Sequence, residues 1–537
     1  MISPSSIILL ACLFLQPSST FTTLAATISS TPAQTITGIG GSGAWWPHDL
    51  YQFPEATRQN ISNLLFSQDG LGLSSYRWNV GAGGVGVGNP GRAPDTFYRG
   101  AGSYNWSADP QGVYFLTAAS TRGVTDLTAF ANSAPAPLTS GKTSCGSSFV
   151  DGKSSLLSHL RMPSGESDLH DHAVGTGNAF GTYLADVVEH FRNQGINIRY
   201  ISPINEPDSD FGPVPCGQEG MKVAPNQRAE VVDGLWNALN SKGLASTVGI
   251  LADESNNLDV ASSEYGAWLP QVVGKVAALV HHTYDFPSDS AYLSYVNSTR
   301  ALYPNKPTWM KFAVHWETQT EVEGDGRKDM TQRFLRRINN ALMFSGLVFQ
   351  SFVVAQESHY DFWTLVSGGI GCAPQNNATC VNNPNANGWN DGLIYYDGQY
   401  ASNRNFQLCT SKFLQILAYL IDFVRTDTTK RFWTYKHFGN FLKPGSQRHA
   451  ITGTGATNNM IAVSTSTKYF VIAMNPTNSA TTLALTFPDN ACGVASYRTS
   501  GSEDFAKLGG AMKNGGNWNL GLDAMSLTTY EFNRVAC

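Results

Sequence analysis

Ile201-Ser-Pro-Ile-Asn205-Glu206-Pro207 is an apolar run that stops abruptly on Asn-Glu. Pro207 has no backbone donor and cannot extend a ladder of strand hydrogen bonds, so the run reads as a short strand ending at Glu206. The same texture recurs on both sides of it. The sequence predicts strands at 36–39, 74–79, 126–131, 199–204, 247–252, 277–282, 308–314 and 348–354, each ending in polar or Gly-rich residues and followed by helical stretches. That rhythm means parallel strands joined by crossover helices, and eight of them fit a closed (β/α)8 barrel. A doubly wound sheet is the alternative. It would need the Gly cluster Gly38-Ile39-Gly40-Gly41-Ser42-Gly43 to open a helix, but the cluster runs into Ala44-Trp45-Trp46 instead.

After Lys443-Pro444-Gly445 the texture changes. Ser and Thr alternate with Val, Ile, Leu and Phe, as in Tyr469-Phe-Val-Ile-Ala-Met, which is the pattern of a small antiparallel β-sandwich. The expected division is an export signal over 1–26, a catalytic barrel over 27–442 and a sandwich over 443–537, with 27–35 available as an extra sandwich strand. Ile7 to Leu15 is an unbroken apolar run about half the ~20 residues a membrane span needs, which suits a cleaved secretory signal. Secretion agrees with four open sequons at Asn60, Asn105, Asn297 and Asn377. It also agrees with disulfides. Cys372 and Cys380 are expected to pair across a short loop, and Cys492 with Cys537 near the end of the chain. Cys145 and Cys216 are left for each other, and Cys409 is odd.

Hydrophobic residues make up 42% of the 537 and charged ones 14%, enough for a large core. Thirty-five basic and 40 acidic residues give a net charge of −5 without a basic stripe, which argues against nucleic acid as a partner. A monomer is expected, away from membranes and with no cofactor.

Glycosidic cleavage needs two carboxyls flanking the bond, one to protonate the leaving oxygen and one to attack or to activate water. In a barrel such groups sit at the C-terminal ends of strands. Glu206 suits the acid/base role there, and Asn205 can hold a sugar hydroxyl. Arg77, Asn132, His282, Tyr284, Trp363 and Trp46 stand at or just beyond other strand ends and are candidate substrate-binding residues, the aromatic rings as platforms for sugar faces. Residues of these types also serve as ordinary packing. His281 and His282 have no spaced third ligand, so no metal site is expected.

Several stretches together resemble glycoside hydrolase family 30. They are Ile-Ser-Pro-Ile-Asn205-Glu206-Pro, Tyr76-Arg-Trp-Asn-Val-Gly, Phe130-Ala-Asn-Ser-Ala-Pro, His281-His-Thr-Tyr-Asp, and His359-Tyr-Asp-Phe-Trp-Thr. The likeness is greatest to the fungal endo-β-1,6-galactanase branch and extends to Phe432-Trp-Thr-Tyr-Lys-His-Phe-Gly-Asn-Phe. It implies a polysaccharide or oligosaccharide as partner, a retaining mechanism on a barrel with a side β-sandwich, β-1,6-galactan side chains of arabinogalactan as substrate, and Glu206 as acid/base. A β-1,6-glucanase or xylanase on the same scaffold is the nearest alternative. The family's nucleophile is a Glu ending the seventh strand, and Phe312 stands at that place here. Glu317 is the first substitute downstream, before Glu321 and Glu323. The other reading is a chain without a nucleophile that only binds carbohydrate. The likeness also breaks from Cys409 to Thr428, which reads either as an added apolar helix or as intervening sequence retained in frame.

Overall fold

The computed structural model describes residues 24–148, 178–313, 338–367, 392–396 and 426–537. Glu317 and the cysteine pair at 372 and 380 lie outside them, as does Cys409.

Eight parallel strands close into a barrel: β1 Gly38–Gly43, β2 Ser75–Asn79, β3 Asp126–Phe130, β4 Ile198–Ser202, β5 Gly249–Ser255, β6 Val276–His282, β7 Thr308–Ala313 and β8 His359–Phe362. Each pairs with the next, and β8 pairs with β1 through His359–Gly38 to Phe362–Gly41. The crossover helices are α1 Glu55–Phe66, α2 Pro110–Thr121, α3 Asn178–Asn193, α4 Pro225–Ser241, α5 Leu258–Val272, α6 Asp289–Leu302, α7 Ile338–Phe349 and α8 Lys430–Phe441. Several start on side-chain caps that meet orphan backbone donors. Asp109 accepts from Gly112 N at 2.9 Å, Ser288 from Ala291 N at 3.2 Å, and Thr429 from Phe432 N at 3.2 Å.

The eighth strand is a correction. Val348–Val354, expected as a strand, belongs to the end of α7 and the helical turn Gln350–Val354 that follows it; the strand is β8, eleven residues further on by its first residue (359 − 348). An apolar run rich in Val and Phe fits a buried strand and a buried helix equally well, and only the fold decides between them. Of the inserted stretch after Cys409, the described part, Thr426–Thr428, is a short strand paired with Ile394–Tyr396.

The Gly cluster is strand β1 itself. Its missing side chains are what allow the barrel to close. A Cβ on Gly40 would stand 2.0 Å from the Ser75 carbonyl oxygen, and one on Gly41 would stand 2.6 Å from the Phe362 carbonyl oxygen. From outside, the Tyr435 hydroxyl of α8 donates to the Gly40 carbonyl at 2.6 Å. Gly40→Ala is therefore expected to destabilise the protein by about 1–3 kcal/mol through overpacking. Thermal unfolding checks this, and an unchanged midpoint would show that the β1–β2 contact has slack.

Polar groups fill part of the barrel interior. Lys311 on β7 donates to Asp361 on β8 at 2.7 Å and lies 2.9 Å from His359 Nε2, and His359 reaches Ser75 on β2 at 3.2 Å. All four are fully buried. Burial alone would raise the Asp361 carboxyl, but the Lys311 and His359 charges outweigh it and hold it well below the usual range.

A second, mostly antiparallel sheet of ten strands stands beside the barrel, and Leu24–Thr35 is one of its inner strands. That strand pairs antiparallel with Gln447–Thr452 and parallel with Thr481–Thr486. Ile461, Val463, Ile472, Met474 and Leu527 of this sheet join the same apolar core as the barrel helices. His437 of α8 ties the two together through the hydroxyls of Thr529 at 2.7 Å and Thr499 at 3.0 Å. Burial, helped by Lys436, pushes this histidine down to about 3, so it stays neutral. The disulfides Cys145–Cys216 and Cys492–Cys537 both form.

Candidate active site

The C-terminal ends of the strands open onto a cleft of about 1010 Å³ lined by Trp45, Asn132, Glu206, Asn256, Tyr284 and Trp363 among others. Arg77 and Asn205 also border it. A cleft of this size is of the scale that holds several sugar rings.

Glu206 follows β4 and is 8% exposed. Its backbone takes φ 49°, a left-handed value rarely adopted by a residue with a Cβ. The turn turns its N–H toward β5, where it donates to the Glu254 carbonyl at 3.1 Å. Two side chains from the end of β6 hold the carboxyl. The Tyr284 hydroxyl donates to Glu206 Oε1 at 2.5 Å, and His282 Nδ1 lies 3.3 Å from the same oxygen. His282 Nε2 lies 3.1 Å from Glu254 Oε2 on its other side. Glu254 in turn receives a hydrogen bond from Arg77 of β2, which also donates to Asn205 Oδ1 at 2.6 Å. The Arg77 guanidinium rests 3.4 Å above the centre of the Phe130 ring.

Four strand ends thus form one charge-linked chain: Asn205, Arg77, Glu254, His282, Glu206. Burial by itself would raise the Glu254 carboxyl. The Arg77 charge and the His282 hydrogen bond outweigh it and hold the group at about 2, so it stays ionised. Burial would likewise push His282 down, but its contacts with Glu206 and Glu254 raise it instead. The chain of contacts fixes the orientation of the Glu206 carboxyl and of the Asn205 amide. A carboxyl oriented in this way at a cleft wall can give a proton to a bound ether oxygen and take one back.

Glu317 lies outside the described residues; each of the other expected residues has a definite place. Arg77, Asn132, Asn205, Tyr284 and Trp363 border the cleft with Glu206. His282 lies fully buried beneath it and acts on it through Glu206. Trp46 does not reach the cleft. It packs in the core against Tyr76 and Phe115, and its ring N–H donates to the Ser42 carbonyl at 3.0 Å. Its neighbour Trp45 borders the cleft instead, edge-on to Trp363 with ring centres 4.5 Å apart. Two adjacent tryptophans after a strand give no sequence signal for which one faces inward. His281 and His282, adjacent on a strand, point to opposite sides; His281 turns to Glu357, 2.6 Å away. The backbone of Phe312 pairs with His282 at the end of β7.

Glu254 was not anticipated. The fifth strand was expected to end at Ala252, whereas it runs through Asp253, Glu254 and Ser255. The signal was present as a polar Asp-Glu-Ser ending on an apolar strand, the same form that singled out Glu206.

Glu219 holds the rim. It is fully buried, and its Oε1 accepts from Gly84 N at 2.9 Å while both oxygens lie 3.2 Å from Ala82 N. Burial pushes this carboxyl up to about 8, against the pull of those N–H groups. Since the folded value lies above the ordinary 4.5, the stability tied to its neutral form is full below that value and lost as pH rises through about 8. The melting-temperature advantage of the native chain over Glu219→Gln should therefore shrink between about pH 5 and about pH 9. An advantage that grows with pH would show that the ionised form is the one the loop binds.

Comparison with known proteins agrees with this architecture. Residues 23–369 match the model of O-glycosyl hydrolase family 30. None of the curated proteins matches the chain in sequence. Among solved structures, a conserved exported protein from Bacteroides fragilis superimposes with a TM-score of 0.71 at 20% identity, over 94% of this chain and 100% of the other. The catalytic domain of the family 30 xylanase C from Talaromyces cellulolyticus gives 0.64 at 21% identity, over 95% and 99%. An endo-β-1,6-glucanase gives 0.63 at 14% identity, over 96% and 95%. These identities carry the fold alone. With the family match spanning 347 of the 537 residues (369 − 23 + 1), a closed barrel, and a glutamate held at the mouth of its fourth strand, the chain belongs to glycoside hydrolase family 30.

Proposed function

We propose that the protein is a secreted, retaining glycosidase that cuts β-1,6-linked galactan side chains of arabinogalactan. The observation that carries this reading is Glu206, held by Tyr284 and His282 at the wall of a cleft with Trp363 and Trp45 as apolar faces. Glu206 protonates the leaving galactoside oxygen, and a second carboxyl attacks the anomeric carbon from about 5 Å away across the ring. Water then releases the sugar with Glu206 as base. Asn205, fixed by Arg77, hydrogen-bonds a hydroxyl of the ring at the cleavage point. Asn132 adds a polar contact at the cleft wall. Glu317 is the candidate for the attacking carboxyl.

The galactan assignment rests on the likeness of the sequence to the fungal branch of the family. Release of reducing ends from de-arabinosylated arabinogalactan, beside β-1,6-glucan and xylan, tests it. Faster hydrolysis of either alternative polymer would replace the substrate while leaving the mechanism. One observation favours a second reading, a carbohydrate-binding protein without turnover: Phe312 stands at the end of β7, where the family is expected to carry its nucleophile. Retention of β-1,6-galactan with no reducing ends released would select it.

A further inference from the structure

A second pocket of about 200 Å³ lies behind one wall of the cleft. Trp45 borders both spaces. The Arg92 guanidinium sits 4.3 Å over the Trp45 ring and faces the cleft, while its chain neighbours Gly91 and Ala93 line the side pocket. The stacked Trp45–Arg92 pair is therefore the partition. At about 30 Å³ per water the side pocket holds only some six or seven waters, the scale of one sugar ring and not of a chain.

Its lining combines apolar surface from Trp45, Pro47 and Pro94 with buried polar side chains. Asn79, the last residue of β2, is 1% exposed, and neither its amide oxygen nor its amide nitrogen has a hydrogen-bond partner among the described residues. Burying an amide in this way costs several kcal/mol unless something in the pocket bonds to it. Asp109, 3% exposed, stands in the same lining and spends Oδ1 on the Gly112 N–H at 2.9 Å. Burial pushes its carboxyl up to about 7, so it can either donate or accept near neutral pH. No Lys or Arg lines the pocket, which disfavours an anionic guest. An amide with two donors and an acceptor beside a carboxyl matches a ring bearing neighbouring hydroxyls.

We propose that this pocket is a subsite for one neutral sugar residue, held by the Asn79 amide and the Asp109 carboxyl, belonging to the substrate whose backbone occupies the cleft. It rests on the glycosidase reading of that cleft. The residue is either a chain-end galactose or a single-residue arabinose branch, since both present the same hydroxyl chemistry.

Saturation-transfer NMR on the full chain tests this with methyl β-D-galactoside and methyl α-L-arabinofuranoside as probes. Asn79→Leu removes the amide, and Gln111→Trp fills the pocket from its half-buried rim. Trp363→Ala weakens the cleft as a parallel control. One of the two glycosides should lose its signal at least fivefold in both pocket variants. Galactoside would mark the chain-end source and arabinoside the branch. Should Asn79→Leu fail to fold, Gln111→Trp decides alone. A probe lost only in Trp363→Ala, undiminished in the pocket variants, or never bound by the native chain overturns the proposal. If the native chain cleaves no polysaccharide but the probe still depends on Asn79 and Gln111, the cleft reading fails and the pocket stands.

Discussion

Glu206→Gln should lower turnover on β-1,6-galactan by about 10²–10⁴-fold, the usual worth of a positioned general acid. The amide keeps the size of the carboxyl and can still meet the Tyr284 hydroxyl, which donates at 2.5 Å in the native site. Binding should therefore change far less than kcat. The leaving group sharpens the expectation. A sugar hydroxyl is a poor leaving group and needs its proton, whereas an aryl galactoside expels a weakly basic phenolate without one. With the aryl substrate the first step should lose less than about tenfold, and release of the glycosyl-enzyme, which needs Glu206 as base, becomes limiting. Rapid-mixing kinetics would then show a burst of phenolate followed by slow turnover. An equal loss in the first, bond-breaking step on both substrates would remove Glu206 from acid duty. A chain without an attacking carboxyl gives no burst in either form, which separates the two readings of Phe312.

Arg77→Met should cost about 3–5 kcal/mol of stability, the range seen when one partner of a buried ion pair is removed. Glu254 is fully buried, and Arg77 is the guanidinium that binds it. Methionine fills much of the volume but leaves the carboxylate with only the His282 ring and the Ser202 hydroxyl beside it. The native pair contributes in a defined pH window. The Glu254 group is held at about 2, below its ordinary 4.5, so its stabilisation is full above the ordinary value and lost as pH falls toward about 2. The cost of Arg77→Met should accordingly be greatest near neutral pH and shrink in acid. Adding Glu254→Gln to Arg77→Met should recover more than half of the loss, because the uncompensated charge is gone. Denaturant unfolding of the two single variants and the double variant measures this coupling. Catalysis would not recover with stability, since Asn205 also loses the donor that holds its amide oxygen at 2.6 Å. A cost below about 1 kcal/mol for the single variant would show that His282 and Ser202 compensate Glu254.

The barrel was legible because its strands announce themselves twice. Most are short apolar runs that end in polar or Gly-rich residues. Ile201–Pro207 states both in seven residues, and the observed β4 and Glu206 follow it closely. The eighth strand was misplaced because Val348–Val354 is apolar without period, so that hydrophobicity alone could not tell a helix end from a strand. Reading Trp46 in place of Trp45 as the cleft residue has a similar cause. Which of two adjacent rings enters the core depends on the turn at Trp45, whose φ of 69° swings the chain out of β1.

What the sequence by itself determined is the order of the first seven strands and their helices, the position of Glu206 at a strand end, and the pairs Cys145–Cys216 and Cys492–Cys537. The first two follow from local chemistry, hydrophobic period and a proline stop; the cysteine pairs follow from shared location near the end of the chain and from elimination. What only the tertiary structure decided is which strand ends share a charge. Arg77, Asn205, Glu254 and His282 are separated by tens of residues, and nothing along the chain ranks one partner above another. Closing the barrel brings β2, β4, β5 and β6 to one rim, where burial makes every unpaired charge costly and leaves this set of contacts as the one that satisfies them.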